Sequence, residues 1–190
     1  MRRVIESTLL SLDGVIGTPH VWASERFDDE ARAVALEQLR NSDAMLMGRH
    51  TYEIFSNMWP AQQGPYADAI NTIPKYVFSS TLTEAHWSNS QIVRSDPARE
   101  IANLKQQDGR DLILYGHGPL GAVLLEQHLL DELQFAIHPV FVGAGASLFR
   151  EGATATFELT ATSTYGSGVV VLTYRPPSGS PRSYVNGEPT

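Results

Sequence analysis

The stretch Ala44-Met45-Leu46-Met47-Gly48-Arg49-His50-Thr51-Tyr52-Glu53 changes character at its middle. Ala44 to Met47 is a short apolar run suited to a buried strand. Gly48 then lets the backbone turn, and Thr51 to Met58 can form one or two helical turns before Pro60. Strand, glycine turn and helix together are the building unit of an α/β sheet, and they set helix-terminal amides at the end of a buried strand. Such amides bind phosphate. Arg49 adds a charge-assisted fork of donors, and Thr51 a hydroxyl able to bond a phosphate or cap the helix. A plain turn with a solvated Arg explains the same residues, so this motif alone leaves both readings open.

Working outward, Arg3 to Leu12 reads as the first strand and ends at the turn dipeptide Asp13-Gly14. Phe27 to Arg40 spaces Phe27, Ala31, Val34, Ala35 and Leu39 as on one helix face, with Ser24 or Asp28 available as a cap. Lys75 to Ser79 reads as a strand and Pro97 to Gln107 as a helix. Asp111 to Tyr115 is a strand entering Gly116-His117-Gly118, and Leu120 to Leu129 is the helix that follows. Glu132 to Phe141 alternates but contains Pro139, which predicts a bend or bulge there. Ala155 to Tyr165 and Gly168 to Arg175 flank Gly166-Ser167-Gly168, the short-loop pattern of an antiparallel hairpin.

The expected fold is α/β in three layers: a mixed, mostly parallel central sheet, helices on both faces, and a C-terminal antiparallel hairpin. Residues 1–175 form a single expected domain. From 176 the run PPSGSPRSYVNGEPT loses its apolar pattern and reads as a flexible tail over 176–190.

Composition narrows the function classes. The 190 residues contain no Cys, which excludes disulfides and thiol catalysis. A formal charge of -7, with no basic run, argues against nucleic acid as partner. No apolar run reaches the roughly 18 residues of a membrane span, and Glu6, Ser7 and Thr8 interrupt the N-terminal stretch where a signal peptide stays apolar. The expectation is a cytoplasmic protein. His86, His128 and His138 show no ligand grouping with carboxylates, so no catalytic metal is expected.

Two further cues join the Gly48 turn. Phe78-Ser79-Ser80-Thr81-Leu82 places three hydroxyls after a strand, suited to a ribose or its phosphate, although Ser and Thr also populate ordinary turns. Tyr115-Gly116-His117-Gly118-Pro119-Leu120-Gly121 is a small-residue turn at a helix start, open to a pyrophosphate. Gly116, Gly118 and Gly121 match the spacing of the dinucleotide fingerprint, but Pro119 and the late position in the chain argue against a Rossmann domain. All three cues follow the C-terminal end of an apolar strand, the edge of an open α/β sheet where ligands bind.

With these motifs, together with Ser11-Leu12-Asp13-Gly14 and the run from Leu130-Asp131-Glu132-Leu133 to His138-Pro139-Val140-Phe141-Val142-Gly143-Ala144-Gly145, the chain resembles the dihydrofolate reductase superfamily. The resemblance is to the branch of the riboflavin-biosynthesis reductase, the C-terminal domain of the bifunctional deaminase/reductase, and its stand-alone relatives. It spans about Arg3 to Arg175 and implies a dihydrofolate reductase-like fold binding NADPH. By that resemblance Gly48, Arg49 and Thr51 receive phosphate, with His50 as a supplementary donor, and Ser79, Ser80 and Thr81 approach the adenosine ribose. Gly116, His117, Gly118, Pro119 and Leu120 lie along the pyrophosphate and nicotinamide half; relatives often carry consecutive glycines there, so His117 and Pro119 are departures. Arg49 beside hydroxyls favours NADPH over NADH.

In this family the segment from Asp13 to Asp29 faces the nicotinamide, which makes Trp22, Arg26 and Phe27 candidates for substrate contact. A dihydrofolate reductase engages pterin through a buried acid in the next helix; counting back from Gly48 lands near Arg32, which disfavours folate. Asp13, Asp28 and Asp29 are the candidate catalytic acids, but Asp13 in its turn can bond backbone amides, and Asp28 and Asp29 suit a helix N-terminus. The leading function is an NADPH-dependent reductase acting on a small heterocyclic or carbonyl acceptor, the family example being 5-amino-6-(5-phosphoribosylamino)uracil. Arg26 and Arg32 are the available contacts for a substrate phosphate, and pathway membership stays open because no deaminase domain with zinc-binding Cys accompanies the chain. The alternative is a non-catalytic nucleotide-binding module with a regulatory or structural role. A homodimer is expected if Val169 to Leu172 and the strand containing Phe141 need cover, although a sheet face buried within one subunit accounts for them equally.

Overall fold

The computed structural model describes residues 1–148 and 155–178. Its elements in order are β1 (Val4–Ser11), α1 (Pro19–Trp22), α2 (Asp29–Arg40), β2 (Ser42–Gly48), α3 (Arg49–Met58), α4 (Pro65–Thr72), β3 (Lys75–Phe78), β4 (Ser90–Val93), α5 (Pro97–Gln106), β5 (Asp111–Tyr115), α6 (Gly118–Glu126), β6 (Glu132–His138), β7 (Glu158–Thr164) and β8 (Val170–Arg175). The strands form one sheet in the order β4-β3-β2-β5-β1-β6-β8-β7. The six strands from β4 to β6 run parallel. β8 is antiparallel to β6, and β7 to β8, so the hairpin closes one end of the sheet.

The central strands are apolar because both their faces are covered. Along β2 the side chains alternate: Ala44 and Leu46 join Val4, Leu112, Leu114, Ile101 of α5 and Leu124 of α6 on one face. Met45 and Met47 join Ile5, Ile113, Leu39 of α2, Tyr52 of α3 and Ile70 of α4 on the other. Three layers follow directly, since a strand with no polar face needs helices on both sides.

Several boundaries differ from expectation. α4 and β4 went unread in the sequence; α4 starts on Pro65, and β4 is a four-residue edge strand paired with β3. Pro139 neither bends nor bulges a strand, because β6 stops at His138, one residue before it. The register irregularities fall instead at Ser42/Ala44 and Leu159/Ala161. Phe141 therefore lies in a loop, 75% exposed, and not in a strand. Val169 is buried and Val170 to Leu172 half-buried, while β7 is exposed along its whole length. Of the expected tail, residues 179–190 lie outside the described residues. No helix among those described is long and apolar enough to cross a membrane.

Leu46 is fully buried between α5, α6 and the sheet. Leu46→Ala is expected to lower unfolding free energy by about 3 kcal/mol. Thr162→Ala on exposed β7 is expected to change it by less than about 0.5 kcal/mol. Urea denaturation of both variants checks this.

Candidate functional site

Because β3, β2, β5 and β1 are neighbours and parallel, their C-terminal ends meet at one rim. Gly48 is paired with Phe78, and Leu46 with Leu114, so the Gly48 turn lies between the turns after β3 and β5. The Gly116 amide donates to the Ser7 carbonyl of β1 (2.9 Å). Arg49 spans two of the turns: its Nη1 donates to Thr81 Oγ1 (2.7 Å) while its Nε pairs with Glu53 Oε1 (2.7 Å). A side chain at Gly48, Gly116 or Gly118 would meet nothing within 4 Å, so the space above these backbones is open. Gly48 is the N-cap of α3, and among the described residues no side chain caps the helix, so its first amides suit an anion. The residues present therefore fit the phosphates of a dinucleotide.

Individual candidates are placed unevenly. His50 and Ser80 are exposed at the rim, and Pro119 sits exposed at the start of α6. Thr51 lies inside α3 and caps nothing. Ser79 Oγ accepts from the amides of Thr81 (3.2 Å) and Leu82 (2.9 Å), so this hydroxyl shapes its own turn. His117 is buried, 6% exposed, with Nδ1 2.9 Å from Glu6 Oε1, and Leu120 is core on the α5/α6 face. Both side chains are buried in the core, so what these two positions offer to the open space beside Gly116 and Gly118 is backbone. Arg94, unread in the sequence, stands just beyond β4 and donates to the Leu82 carbonyl (2.8 Å), so two guanidinium groups flank the loop of hydroxyls. The signal was a basic residue directly after Ile92-Val93, visible only once those residues are known to be a strand.

The three candidate acids are engaged elsewhere. Asp13 accepts from Ser11 Oγ (2.6 Å), Gly143 N (2.7 Å) and Val142 N (3.1 Å). Chiefly the Ser11 bond, then these amides, hold its pKa down to about 2, so it ties the loop after β6 to the turn after β1 and holds no proton near neutrality. Asp28 is the N-cap of α2, accepting from Ala31 N (2.9 Å), and Asp29 is fully exposed beside Arg32 (3.7 Å). A chain of aromatics packs on the Met45/Met47 face of the sheet and runs to Tyr115, at the end of β5. Phe27 meets Tyr66 (5.6 Å between centroids), Tyr66 meets Trp59 (5.1 Å), Trp59 meets Phe55 (6.2 Å), and Phe55 meets Tyr115 (6.2 Å). Trp22 bonds Gly17 through its indole N–H (2.8 Å) and packs edge-on to His138 (5.5 Å). Phe55, Tyr66, Tyr115 and His138 were missed because they come from four distant segments. The Tyr115 hydroxyl and Trp59 Nε1 are buried without a hydrogen bond of normal geometry. Burial drives the Tyr66 pKa up to about 12 and that of Tyr115 well above the usual phenol range, so both stay neutral.

Two hollows, of about 520 and 580 Å³, lie elsewhere: one between α2 and the hairpin, the other along α3 near His86; neither includes Gly48, Gly116 or Gly118. The rim is preferred because it gathers the polar backbone and aromatic walls. Among the described residues no group of three His, Asp or Glu is arranged to hold a metal. The family model described as RibD C-terminal domain matches residues 2–171. An uncharacterized Bacillus subtilis protein, YyaP, is 27% identical over 179 residues, covering 91% of this chain and 94% of its own. Similar solved folds include a putative riboflavin biosynthesis protein from Shewanella sp. PV-4 (TM-score 0.72, 23% identity, 91% of this chain and 98% of that one). Another is the Saccharomyces cerevisiae riboflavin biosynthesis reductase Rib7 (TM-score 0.59, 16% identity, 92% and 89%).

His138, at the end of β6, is 3% exposed, and its Nδ1 has no partner among the described residues. Burial first, and the Arg26 charge second, hold its pKa down to about 4. The unfolded chain takes up this proton near pH 6.5, so the contribution to stability is whole above that pH and is lost as pH falls toward 4. Between pH 6.5 and 4.5 His138→Gln is expected to lose less stability than the parent chain, by on the order of 1 kcal/mol after allowing for solvent screening. Urea midpoints across that range check it.

Proposed function

The chain belongs to the RibD C-terminal domain family, and from that premise we propose that it is an NADPH-dependent reductase transferring hydride to a small, planar heterocyclic or carbonyl acceptor. The observation that carries this reading is the Arg49–Thr81 bond, which joins the turn after β2 to the turn after β3 beside open glycine backbone. Arg49, Arg94, Ser80 and Thr81 form the side toward a 2′-phosphate. Gly48 and the first amides of α3 take a phosphate, and the backbone from Gly116 to Gly118 takes the pyrophosphate. Bound there, NADPH supplies the hydride, and the chain supplies orientation and exclusion of water.

The acceptor lies toward Phe27, Phe55, Trp59, Tyr66 and Tyr115. The polar tips of this wall are neutral: an indole N–H that only donates, and two phenols held protonated by burial. A charge placed against this wall stays unpaired and costly, so an uncharged ring suits it. Trp22 and Arg26 close the opposite side, and Arg26 with Arg32 are the cations available to a substrate phosphate such as that of 5-amino-6-(5-phosphoribosylamino)uracil. With Asp13 and Asp28 occupied and Asp29 fully exposed on α2, the proton that completes reduction comes from solvent.

That same occupancy favours one second reading, a nucleotide-binding module without turnover. NADPH incubated with pyrimidine, pterin and quinone acceptors separates the two: oxidation supports the reductase, and heat protection without oxidation supports the binder. Arg49→Ala is expected to weaken NADPH binding about tenfold and leave NADH binding unchanged. Titration with both nucleotides checks this, and equal affinities unaffected by the substitution overturn the 2′-phosphate assignment.

A further inference from the structure

We propose that Glu6 is a positioning residue that, acting through His117, holds the Gly116–Gly118 turn in the shape that receives the pyrophosphate half of the dinucleotide. This role rests on the nucleotide-binding reading above. Glu6 sits in β1, at the centre of the sheet, and is 0% exposed. Its Oε1 is 3.0 Å from Thr8 Oγ1 and 2.9 Å from His117 Nδ1, while its Oε2 has no partner among the described residues. Whichever of the two carries the shared hydrogen, this contact ties the His117 ring to β1.

A buried carboxylate is a costly way to fill a core, and an apolar residue of similar size at such a site often leaves a fold as stable or more so. Its neighbours on the same sheet face include Val4 and Leu112, where an aliphatic residue packs without difficulty. What Glu6 does reach is the turn. His117 stands between Gly116 (φ +80°) and Gly118 (φ +45°), two positions in the left-handed region where a chain without an anchor has many alternatives. With its ring fixed to the sheet, His117 is the fixed point between them, and its carbonyl accepts from Gly121 N (2.7 Å) to start α6.

Gly121 belongs to the same arrangement. A Cβ at this position would stand 2.6 Å from Glu6 Oε2 and 2.8 Å from His117 Nδ1, so the helix approaches the pair closely only because residue 121 has no side chain. Glu6, His117 and Gly121 come from β1, the turn and α6, and together they set the turn's height above the strand end. Since the His117 ring is buried, it acts on the nucleotide through the backbone it holds and makes no contact itself.

The test compares two ligands on purified protein. 2′,5′-ADP engages only the side formed by Gly48, Arg49 and Thr81, whereas NADPH also needs the Gly116–Gly118 turn. Glu6→Leu is expected to weaken NADPH about tenfold while leaving 2′,5′-ADP affinity and thermal midpoint within about twofold and a few degrees of the parent. His117→Asn, altered in the turn and not in the sheet, is expected to show the same split, which keeps the question answerable if Glu6→Leu folds poorly. Glu6→Gln, whose amide oxygen still accepts from His117 and Thr8, is expected to recover most of the affinity. Parent-like NADPH affinity in Glu6→Leu and His117→Asn overturns the proposal, as does parallel loss of both ligands. Failure of the parent chain to bind 2′,5′-ADP overturns the nucleotide reading along with it.

Discussion

Burial of β2 on both faces is the constraint on which the remaining structure depends. Met45, Leu46 and Met47 leave no strand face for water, so the strand must be flanked by β3 and β5 and covered by helices above and below. Slipping its register by one residue would exchange the two methionines with Leu46 between cores of different shape, so the pairing is strongly specified. Parallel pairing then sends every crossover except the irregular 79–89 loop between β3 and β4 back through a helix, and every strand from β4 to β6 ends at the same rim. The Gly48, Ser79 and Gly116 turns are neighbours as a consequence of how the core is buried, before any ligand is considered.

That dependence explains what was legible in the sequence. The β2–α3 unit, β5 and the C-terminal hairpin declared themselves through local pattern: an apolar run, a glycine turn, a short loop between alternating segments. β4 has one buried residue, Val93, and owes its existence to pairing with β3, which no local pattern encodes. α4 begins on a Pro that reads first as punctuation. The stop of β6 at His138 likewise came from outside the strand: Leu12 N donates to the Val140 carbonyl and Asp13 accepts from Val142 and Gly143, drawing the chain off toward the turn after β1 before Pro139 can distort the ladder.

The two halves of the candidate site were legible to different degrees for the same reason. The residues proposed for the cofactor directly follow strands, so knowing the strands nearly places them. The acceptor side is built from Phe27, Phe55, Trp59, Tyr66, Tyr115 and His138, which meet only after α2, α3 and α4 pack on the sheet. Side-chain direction was the other loss. Position along the chain put His117 and Leu120 at the nucleotide turn, but only the packing of α6 shows that both point into the core while the backbone between them faces out.

Seen in these terms, the departures from a run of glycines in the Gly116–Gly121 turn follow a single physical logic. A glycine-only turn admits close approach of a pyrophosphate but leaves its backbone to be ordered when the ligand arrives, which subtracts from affinity. Here the two left-handed positions keep glycine, while the residues beside them are restrained: Pro119 fixes its own φ in the first turn of α6, and His117 is held to the sheet by Glu6. Neither restraint fills the space above Gly116 and Gly118, which stays open. The ordering cost is met during folding, with the buried carboxylate as its counterpart, so the turn presents its amides already arranged.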